Sequence, residues 1–277
     1  MKLKIMEYNI KDGFTKEIAK DKFIYEKYRE KSAVRIVKDF DPDILLICEA
    51  NFIVQHKKIN PKNPFSTDYK KIFSFPFCSY LIKHGHDGSV ILSKFPIITM
   101  DFSIDNRVFG RTILKMGKKV IIIDNIHPHP IKVNNFNKYR WVKSVLRDKK
   151  NPYILIGDFN SLSRLDKYSR EYLINFFEPI IKFNLWGEVD SMMKYEVVDE
   201  ILKNGLQDTY KLINRRFDYT CPTSTFKSMG QNEKGIRIDY IFCSKDFKVL
   251  DSGIIKNELS EKASDHYPIY AILELKW

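Results

Sequence analysis

The sequence has no apolar run that approaches the roughly 18 residues needed to span a bilayer, so no transmembrane segment is expected. Its four cysteines, Cys48, Cys78, Cys221 and Cys243, form no C-x-x-C pair and have no histidine at zinc spacing, so we interpret them as reduced packing residues. It also lacks a G-x-S-x-G elbow, a glycine-rich phosphate loop and an H-E-x-x-H helix. A serine hydrolase, a P-loop enzyme or a zincin therefore has little support.

Internal repeats, low-complexity tracts and Gly/Ser linkers are absent too, so the expectation is one domain over residues 1–277. The opening stretch, MKLKIMEYNI, enters a strand-like alternation at once and leaves no room for a charged leader, an apolar segment and a cleavage site. We therefore expect a cytoplasmic protein, and a monomer. The formal charge of +12, with 47 Lys+Arg against 35 Asp+Glu, favours a polyanionic partner or an anionic membrane surface.

Short apolar segments typical of strands recur through the whole chain, and amphipathic helical patterns separate them, which predicts a mixed α/β fold. The strand-like segments are Leu3–Tyr8, Asp43–Cys48, Ser89–Leu92, Val120–Ile126, Tyr153–Ile156, Ile238–Cys243 and Ile269–Leu275. Helical periodicity appears in Ala33–Phe40, in Leu173–Ile181 where Pro179 must kink or end the helix, and in Val197–Leu202 before Gly205.

Several of these strands end in an acid, an amide or an imidazole. In YILIGDFN the apolar run stops at Asp158 and Asn160, which would share one side of the chain if the extended conformation persisted. The other positions are Asn9, Glu49, His127, Asp239 and the pair Asp265-His266. Each has an ordinary explanation singly, as a turn former or a satisfied core residue. Together they indicate strand ends that converge on one cleft, where clustered carboxylates would repel unless a cation joined them.

The residue types point to a class of chemistry. Oxygen donors without thiolates suit Mg²⁺, or Mn²⁺, bound through one or two carboxylates together with a substrate phosphate. Two histidines and a further aspartate suit proton handling or phosphate contact, because a carboxylate can hold an imidazole in one tautomer and stabilise its cation.

Seven short motifs, in this order, resemble the endonuclease/exonuclease/phosphatase superfamily: EYNI, LLICEA, GSVILSKFPI, NIHPHP, ILIGDFN, RIDYIF and SDHYPI. That superfamily includes DNase I, exonuclease III, inositol polyphosphate phosphatases and neutral sphingomyelinases. The resemblance implies a DNase I-like four-layer α/β/β/α sandwich, in which two mostly antiparallel sheets face each other and helices lie outside. It also implies an active site at one edge of the sandwich.

The resemblance implies a metal site as well. Glu49 would be the principal Mg²⁺ ligand, and Asn9 and Asp265 would complete the metal and phosphate site. Mg²⁺ is the cofactor that we expect, with Mn²⁺ as a substitute.

The catalytic groups follow from the same motifs. Asp158 would orient or deprotonate the attacking water, and Asn160 would donate a hydrogen bond to the phosphate. His266 would pair with Asp239 and either contact the phosphoryl oxygens or act as a base. His127 would lie near the leaving group and help to bind the substrate.

Arg111, in FGRTIL, is a candidate phosphate contact or a plain surface arginine. Cys221, Pro222 and Ile236 stand where abasic-site enzymes of this superfamily carry aromatic residues, which argues against a pocket for a flipped, base-free sugar.

The predicted function is Mg²⁺-dependent phosphodiester hydrolysis by a nuclease acting on DNA or RNA. The basic segment from Leu162 to Arg216 could track a nucleic-acid backbone or simply form a helical cover. Two alternatives remain open: a phosphomonoesterase or lipid phosphodiesterase of the inositol phosphate or sphingomyelin type, and a non-catalytic nucleic-acid-binding protein.

Overall fold

The computed structural model describes residues 1–20, 22–51, 68–82, 87–104, 107–116, 119–128, 135–147, 149–150 and 152–276. The strands in these residues are, in chain order, β1 (Lys2–Asn9), β2 (Thr15–Ala19), β3 (Lys22–Tyr25), β4 (Ile44–Asn51), β5 (Phe77–Ile82), β6 (Asp87–Ser93), β7 (Ile97–Ile104), β8 (Arg107–Met116), β9 (Lys119–Ile126), β10 (Tyr153–Asp158), β11 (Gln207–Asp208), β12 (Asp239–Cys243), β13 (Phe247–Ile254) and β14 (Ile269–Leu275).

The helices are, in chain order, α1 (Lys11–Phe14, a single left-handed turn), α2 (Lys27–Phe40), α3 (Tyr69–Phe73), α4 (Asn135–Arg147), α5 (Arg170–Phe177), α6 (Leu185–Met192), α7 (Glu196–Lys203), α8 (Thr209–Ile213) and α9 (Glu258–Ala263). Two 3₁₀ turns lie at Arg164–Asp166 and Ser224–Phe226. Of the described helices, none combines the length and the apolar character needed to cross a membrane.

Two six-stranded sheets form the centre of the molecule. Their strand orders are β13-β14-β1-β4-β6-β5 and β11-β12-β10-β9-β8-β7, and β2 pairs with β3 in a separate hairpin. Each large sheet contains one parallel pair, β1 with β4 and β9 with β10, while its other pairs are antiparallel. These four strands occupy the middle positions of their sheets, and their carboxyl ends can supply one site.

The sheets pack face to face across a core of aliphatic side chains. On β10, Ile154 and Ile156 point into this core, whereas Tyr153 and Leu155 point outward to the helices. All six residues of β10 are buried, which is why its sequence shows no polar face.

Helices cover the outer face of each sheet. The apolar stripe of α2, with Ala33, Ile36 and Val37, packs on the outer residues of β1, β4 and β6. On the second sheet, α4 and α7 pack on β9, β10 and β12. The result is the predicted four-layer sandwich of two mostly antiparallel sheets between helices, and the fold prediction is confirmed.

The seven predicted strands are all present, most of them one to three residues longer than predicted. The predicted helices are found as well: α5 ends before Pro179, and α7 is followed by Gly205, whose φ of +82° suits a helix end. The four edge strands, β5, β7, β11 and β13, were not predicted, and neither were strands β2, β3 and β8 or helices α1, α3, α4, α6, α8 and α9. Most of these segments mix polar and apolar residues without a clear period.

Candidate active site

Four polar side chains lie where the central parallel strands end. Asn9 is the last residue of β1, Glu49 lies near the end of β4, His127 follows β9 and Asp158 ends β10. Parallel strands bring their carboxyl ends to the same edge of a sheet, and the two sheets face each other. The four side chains consequently meet in one cluster, as the sequence predicted.

A bulge in β4 directs Glu49 into this cluster. Strand alternation alone would place Glu49 on the face opposite its neighbour Cys48, which lies in the core between the sheets. The register with β6 shifts between Ile47 and Ala50, and Glu49 adopts a left-handed φ of 54°. The extra residue re-aims the carboxylate toward the site, as bulges beside active sites commonly do.

The GDFN segment ends β10 in a tight turn. At Gly157 (φ 149°) a Cβ atom would lie 2.0 Å from the backbone oxygen of Ile126, so only glycine lets β10 approach β9 here. The extended conformation does not persist, because Asn160 has a φ of 47° and its N–H donates to Asp158 Oδ1 at 2.8 Å. The Asn160 amide donates to the carbonyl of Pro128 at 3.4 Å, beside His127.

Asp158 is the centre of the cluster, with 2% of its side chain exposed. Asn9 Nδ2 donates to Asp158 Oδ2 at 3.1 Å and to Glu49 Oε1 at 3.0 Å, so one amide joins the two carboxylates. His127 Nε2 lies 3.7 Å from Asp158 Oδ2 and 3.9 Å from Glu49 Oε1. Asn9 Oδ1 accepts the backbone N–H of Lys11 at 3.0 Å.

A second histidine reaches Asp158 from the other side. His266 Nδ1 lies 2.9 Å from Asp239 Oδ2, and His266 Nε2 lies 3.9 Å from Asp158 Oδ2. Burial alone would lower the pKa of His266, but Asp239 outweighs it and raises that pKa well above the ordinary value. The predicted pairing of His266 with Asp239 is therefore present in the structure, and it favours the imidazolium.

The environment of Asp158 makes it a weak acid. Burial and then the charge of Asp239, its direct partner across β10 and β12, raise the pKa of Asp158 to about 7, with Glu49 adding to the effect. His266 and the N–H of Asn160 oppose this rise. A carboxyl group with a pKa near neutrality can exchange a proton at physiological pH, which is the property of a general base.

The same groups fit a divalent cation. Ligand atoms of Glu49, His127 and Asp158 lie within 4.8 Å of one another, as do those of Asp158, Asp239 and His266. Both groups offer carboxylate oxygen and imidazole nitrogen without thiolates, and Glu49 keeps 27% of its side chain exposed. Facing carboxylates of this kind are stabilised by a bound cation.

Two predicted residues lie differently from what the sequence suggested. Asp265 Oδ2 is 2.6 Å from the ammonium of Lys11 and belongs to neither group of candidate ligands in the described part of the chain. Arg111 makes a bidentate ion pair with buried Asp124, at 2.7 and 2.9 Å, on the face of the sheet that α4 covers. The guanidinium is used in this pair, which does not favour the predicted phosphate contact. With 12% of its side chain exposed, Arg111 is not a plain surface arginine either.

Sequence reasoning missed three residues at or below the site: Lys11, Lys138 and Glu7. Lys138 is 1% exposed, and its Nζ donates to the Asn160 carbonyl at 2.8 Å, while burial lowers its pKa to about 7. The sequence contained a weak signal that Lys138 is buried, because it stands at helical spacing from Trp141, Val142 and Val145 on the core-facing stripe of α4.

Glu7 is fully buried on the inner face of β1, two residues before Asn9. Burial first, and then the charges of Asp239 and Asp158, raise the pKa of Glu7 well above its ordinary value, which favours the neutral acid. A signal was available here, because strand alternation places Glu7 on the same face as Leu3 and Ile5, which lie in the core between the sheets.

Comparison with known proteins identifies relatives of this architecture. The model of the Endonuclease/Exonuclease/phosphatase family matches residues 20–266. A solved endonuclease/exonuclease/phosphatase from Beutenbergia cavernae DSM 12333 has a TM-score of 0.70 at 14% identity, covering 99% of this chain and 72% of that one. No curated protein matches the sequence.

Two further structures are similar over nearly the whole chain. D. rerio TDP2, solved with a single strand DNA product, has a TM-score of 0.63 at 14% identity and covers 99% of both chains. The human Nocturnin catalytic domain, solved with a sulfate anion, has a TM-score of 0.60 at 15% identity, with 99% of this chain and 94% of that one covered. At such identities the likeness shows a common fold.

Proposed function

Since the chain belongs to the endonuclease/exonuclease/phosphatase family, we propose that it is a divalent-metal-dependent phosphodiester hydrolase that acts on DNA or RNA. The observation that carries this proposal is the environment of Asp158. This buried carboxylate lies within 3.9 Å of Asn9, His127 and His266, beside the partly exposed Glu49. A proton acceptor, imidazoles and a candidate cation ligand thus surround one small volume at the edge of the sandwich.

Glu49 would hold the cation, with His127 and Asp158 beside it. When bound, a divalent cation supplies Lewis-acid stabilisation of the negative charge on the phosphoryl oxygens. Mg²⁺ is the proposed ion, with Mn²⁺ as a substitute, because the set contains carboxylates and imidazole without thiolates. Asn9 bridges Glu49 and Asp158 as a hydrogen-bond donor and keeps the two carboxylates in place.

The protein groups then divide the proton transfers. Asp158, with a pKa of about 7, accepts a proton from the attacking water. Asp239 holds His266 as a cation, so that His266 Nε2–H donates toward a phosphoryl oxygen instead of acting as the base. As the water oxygen bonds to phosphorus and the bond from phosphorus to the leaving oxygen breaks, His127 would donate a proton to that oxygen, and Asn160 would supply an amide donor for the phosphate.

Support for a nucleic-acid substrate comes from the total charge of +12. The segment 162–216 adds little, because it folds mainly as a helical cover in which Arg170 pairs with Asp190 and Lys211 with Asp166. TDP2 from D. rerio was solved with a single strand DNA product. We also propose that residues 1–277 act as one catalytic domain, because the site takes side chains from Asn9 to His266.

A substrate panel with and without EDTA tests the proposal. It compares single-stranded, duplex and abasic DNA, RNA, an inositol phosphate and sphingomyelin in the presence of Mg²⁺. We expect turnover of DNA or RNA that stops on chelation, with apparent affinity falling steeply between roughly 50 and 200 mM salt. Turnover that resists EDTA would contradict metal dependence, and turnover of only the inositol phosphate or the lipid would contradict the nucleic-acid substrate.

A further inference from the structure

Lys11 lies on a strained turn at the mouth of the site. The four residues of α1 all have left-handed backbone angles: φ is 49° at Lys11, 50° at Asp12, 60° at Gly13 and 64° at Phe14. For residues other than glycine this conformation is unfavourable, because the Cβ atom comes too close to the following carbonyl oxygen. Strain of this kind persists only where surrounding contacts impose it, and it is concentrated at functional sites.

Arg29 imposes the turn. Its guanidinium is fully buried and donates to the carbonyls of Ile10 at 2.7 Å, Lys11 at 3.0 Å and Thr15 at 3.1 Å. A fourth bond goes to the carbonyl of Ala263 at 2.8 Å, just before the segment that carries Asp265. One buried arginine therefore fixes the turn and the Asp265 segment relative to each other.

This arrangement presents the Lys11 ammonium to the cleft. Lys11 Nζ lies 2.6 Å from Asp265 Oδ2 and 5.4 Å from the centre of the Phe226 ring, and 34% of the side chain is exposed. An ammonium carries three donors, and in the described part of the chain Asp265 is the one hydrogen-bond acceptor of this Nζ. The next residue on the turn, Asp12, donates its backbone N–H to Glu49 Oε2 at 3.2 Å, which ties the turn to the candidate cation ligand.

We propose that Lys11 is a substrate-binding residue whose ammonium, held by Asp265, contacts the scissile phosphate, and that Asp265 is therefore a partner of Lys11 and not a metal ligand. The inference rests on the proposed phosphodiesterase function. The predicted metal ligands were Glu49, Asn9 and Asp265. In their place, the inference puts one cation site at Glu49, with the Lys11 ammonium as a fixed positive charge beside it. An ammonium adjacent to Asp265 neutralises this carboxylate and disfavours a second divalent cation there.

The test measures Mn²⁺ binding and inorganic phosphate binding directly, so that neither depends on turnover. The variants are Lys11→Met, Lys11→Gln, Asp265→Asn and Glu49→Gln, each checked for an unchanged unfolding transition. Lys27→Met is the matched control, because Lys27 also pairs with an acid, Glu30, and lies 5.9 Å from an aromatic ring, that of Tyr25, on the exposed side of α2.

We expect Lys11→Met and Lys11→Gln to weaken binding of inorganic phosphate to the Mn²⁺-loaded protein about tenfold or more, which is the scale of one charge-assisted hydrogen bond. They should leave Mn²⁺ affinity unchanged or raise it, because a nearby positive charge is lost. Asp265→Asn should change Mn²⁺ affinity less than threefold, and Lys27→Met should change neither quantity.

Two results would overturn the inference. One is phosphate binding by both Lys11 variants at the level of Lys27→Met. The other is a loss of Mn²⁺ affinity in Asp265→Asn as large as in Glu49→Gln. Unchanged Mn²⁺ binding in Glu49→Gln would refute the proposed cation site. The phosphate-binding measurements would still test the role of Lys11.

Discussion

One buried charged cluster surrounds Arg237, and another surrounds Asp239, two residues further along the chain. The two clusters differ in how their charges are balanced. Arg237 pairs with Asp208 at 2.7 Å and with Asp166 at 3.0 Å, and Lys211 also reaches Asp166, at 2.8 Å. That cluster contains two positive and two negative groups. Around Asp239 the carboxylates of Asp158 and Glu49 add to its own, and burial together with these like charges raises the pKa of Asp158.

The difference separates a stabilising cluster from a reactive one. Buried charges with matched partners hold elements together, here the 3₁₀ turn at Arg164–Asp166, β11 and the approach to β12. Facing carboxylates in excess store unfavourable free energy that a cation or a proton can relieve. Variants in the first cluster should therefore lose stability, and variants in the second should lose activity.

The largest effect is expected for the acids of the site. Glu49→Gln and Asp158→Asn should each lower kcat by roughly 10²-fold or more, the scale of removing one group that supports charge in the transition state. Neither variant should unfold at a lower temperature, and Asp158→Asn should unfold at a higher one at neutral pH, because it removes a like charge. Steady-state kinetics and thermal unfolding check both statements, and a strongly destabilised Asp158→Asn would show that this residue belongs with the structural cluster.

Next in size is the cost of breaking the balanced cluster. Arg237→Met leaves Asp166 and Asp208 buried without their main partner, and it should lower the free energy of unfolding by about 3–5 kcal/mol. Urea denaturation measures this loss. The comparison variant is Arg164→Ala, which removes the exposed pair with Asp199 and should cost far less stability than Arg237→Met. Similar losses in both variants would contradict the distinction between the clusters.

Lys138 is buried like the members of the Arg237 cluster, but it lies beside the candidate active site, so its variant tests the comparison between the two clusters. Its Nζ donates to the carbonyl of Asn160, so it positions the turn that carries Asp158 and Asn160 without touching the reacting atoms. Lys138→Met should lower kcat/KM about tenfold through a small misplacement of that turn, with kcat falling more than KM rises. Stability should change little, since a buried charge is removed along with its hydrogen bond. Full activity in this variant would assign Lys138 to packing alone.

A pH dependence of stability tests the raised pKa of Asp158 directly. The pKa of Asp158 is about 7 in the folded protein against an ordinary 3.8, so between these values the folded state binds more protons than the unfolded state. The free energy of unfolding then falls as pH rises from about 4 to about 7. The stability difference between Asp158→Asn and the unchanged protein, measured by urea denaturation with a chelator, should grow across this window and level off outside it. A difference that is independent of pH would contradict the raised pKa.

Much of the fold could be predicted because apolar periodicity is a local property. Strands such as β10 and helices such as α2 are visible in the sequence, since their side chains repeat every two residues or along one helical face. Helix α4 was missed because buried Lys138 and a short Trp141–Leu146 stripe give a weak pattern. The candidate site was predictable for a similar reason: Asn9, Glu49 and Asp158 each interrupt an apolar run at its end.

By itself, then, the sequence determined the four central parallel strands and that polar groups stand at their ends, because both follow from the spacing of side chains along the chain. Only the tertiary structure decided where those groups point. The bulge at Glu49 depends on the register of β4 with β6. The left-handed turn at Lys11 depends on the carbonyls to which Arg29 donates hydrogen bonds. The position of the Arg111 guanidinium depends on its ion pair with Asp124. Each depends on hydrogen bonds and ion pairs to residues distant in sequence, and the period of a strand carries no information about them.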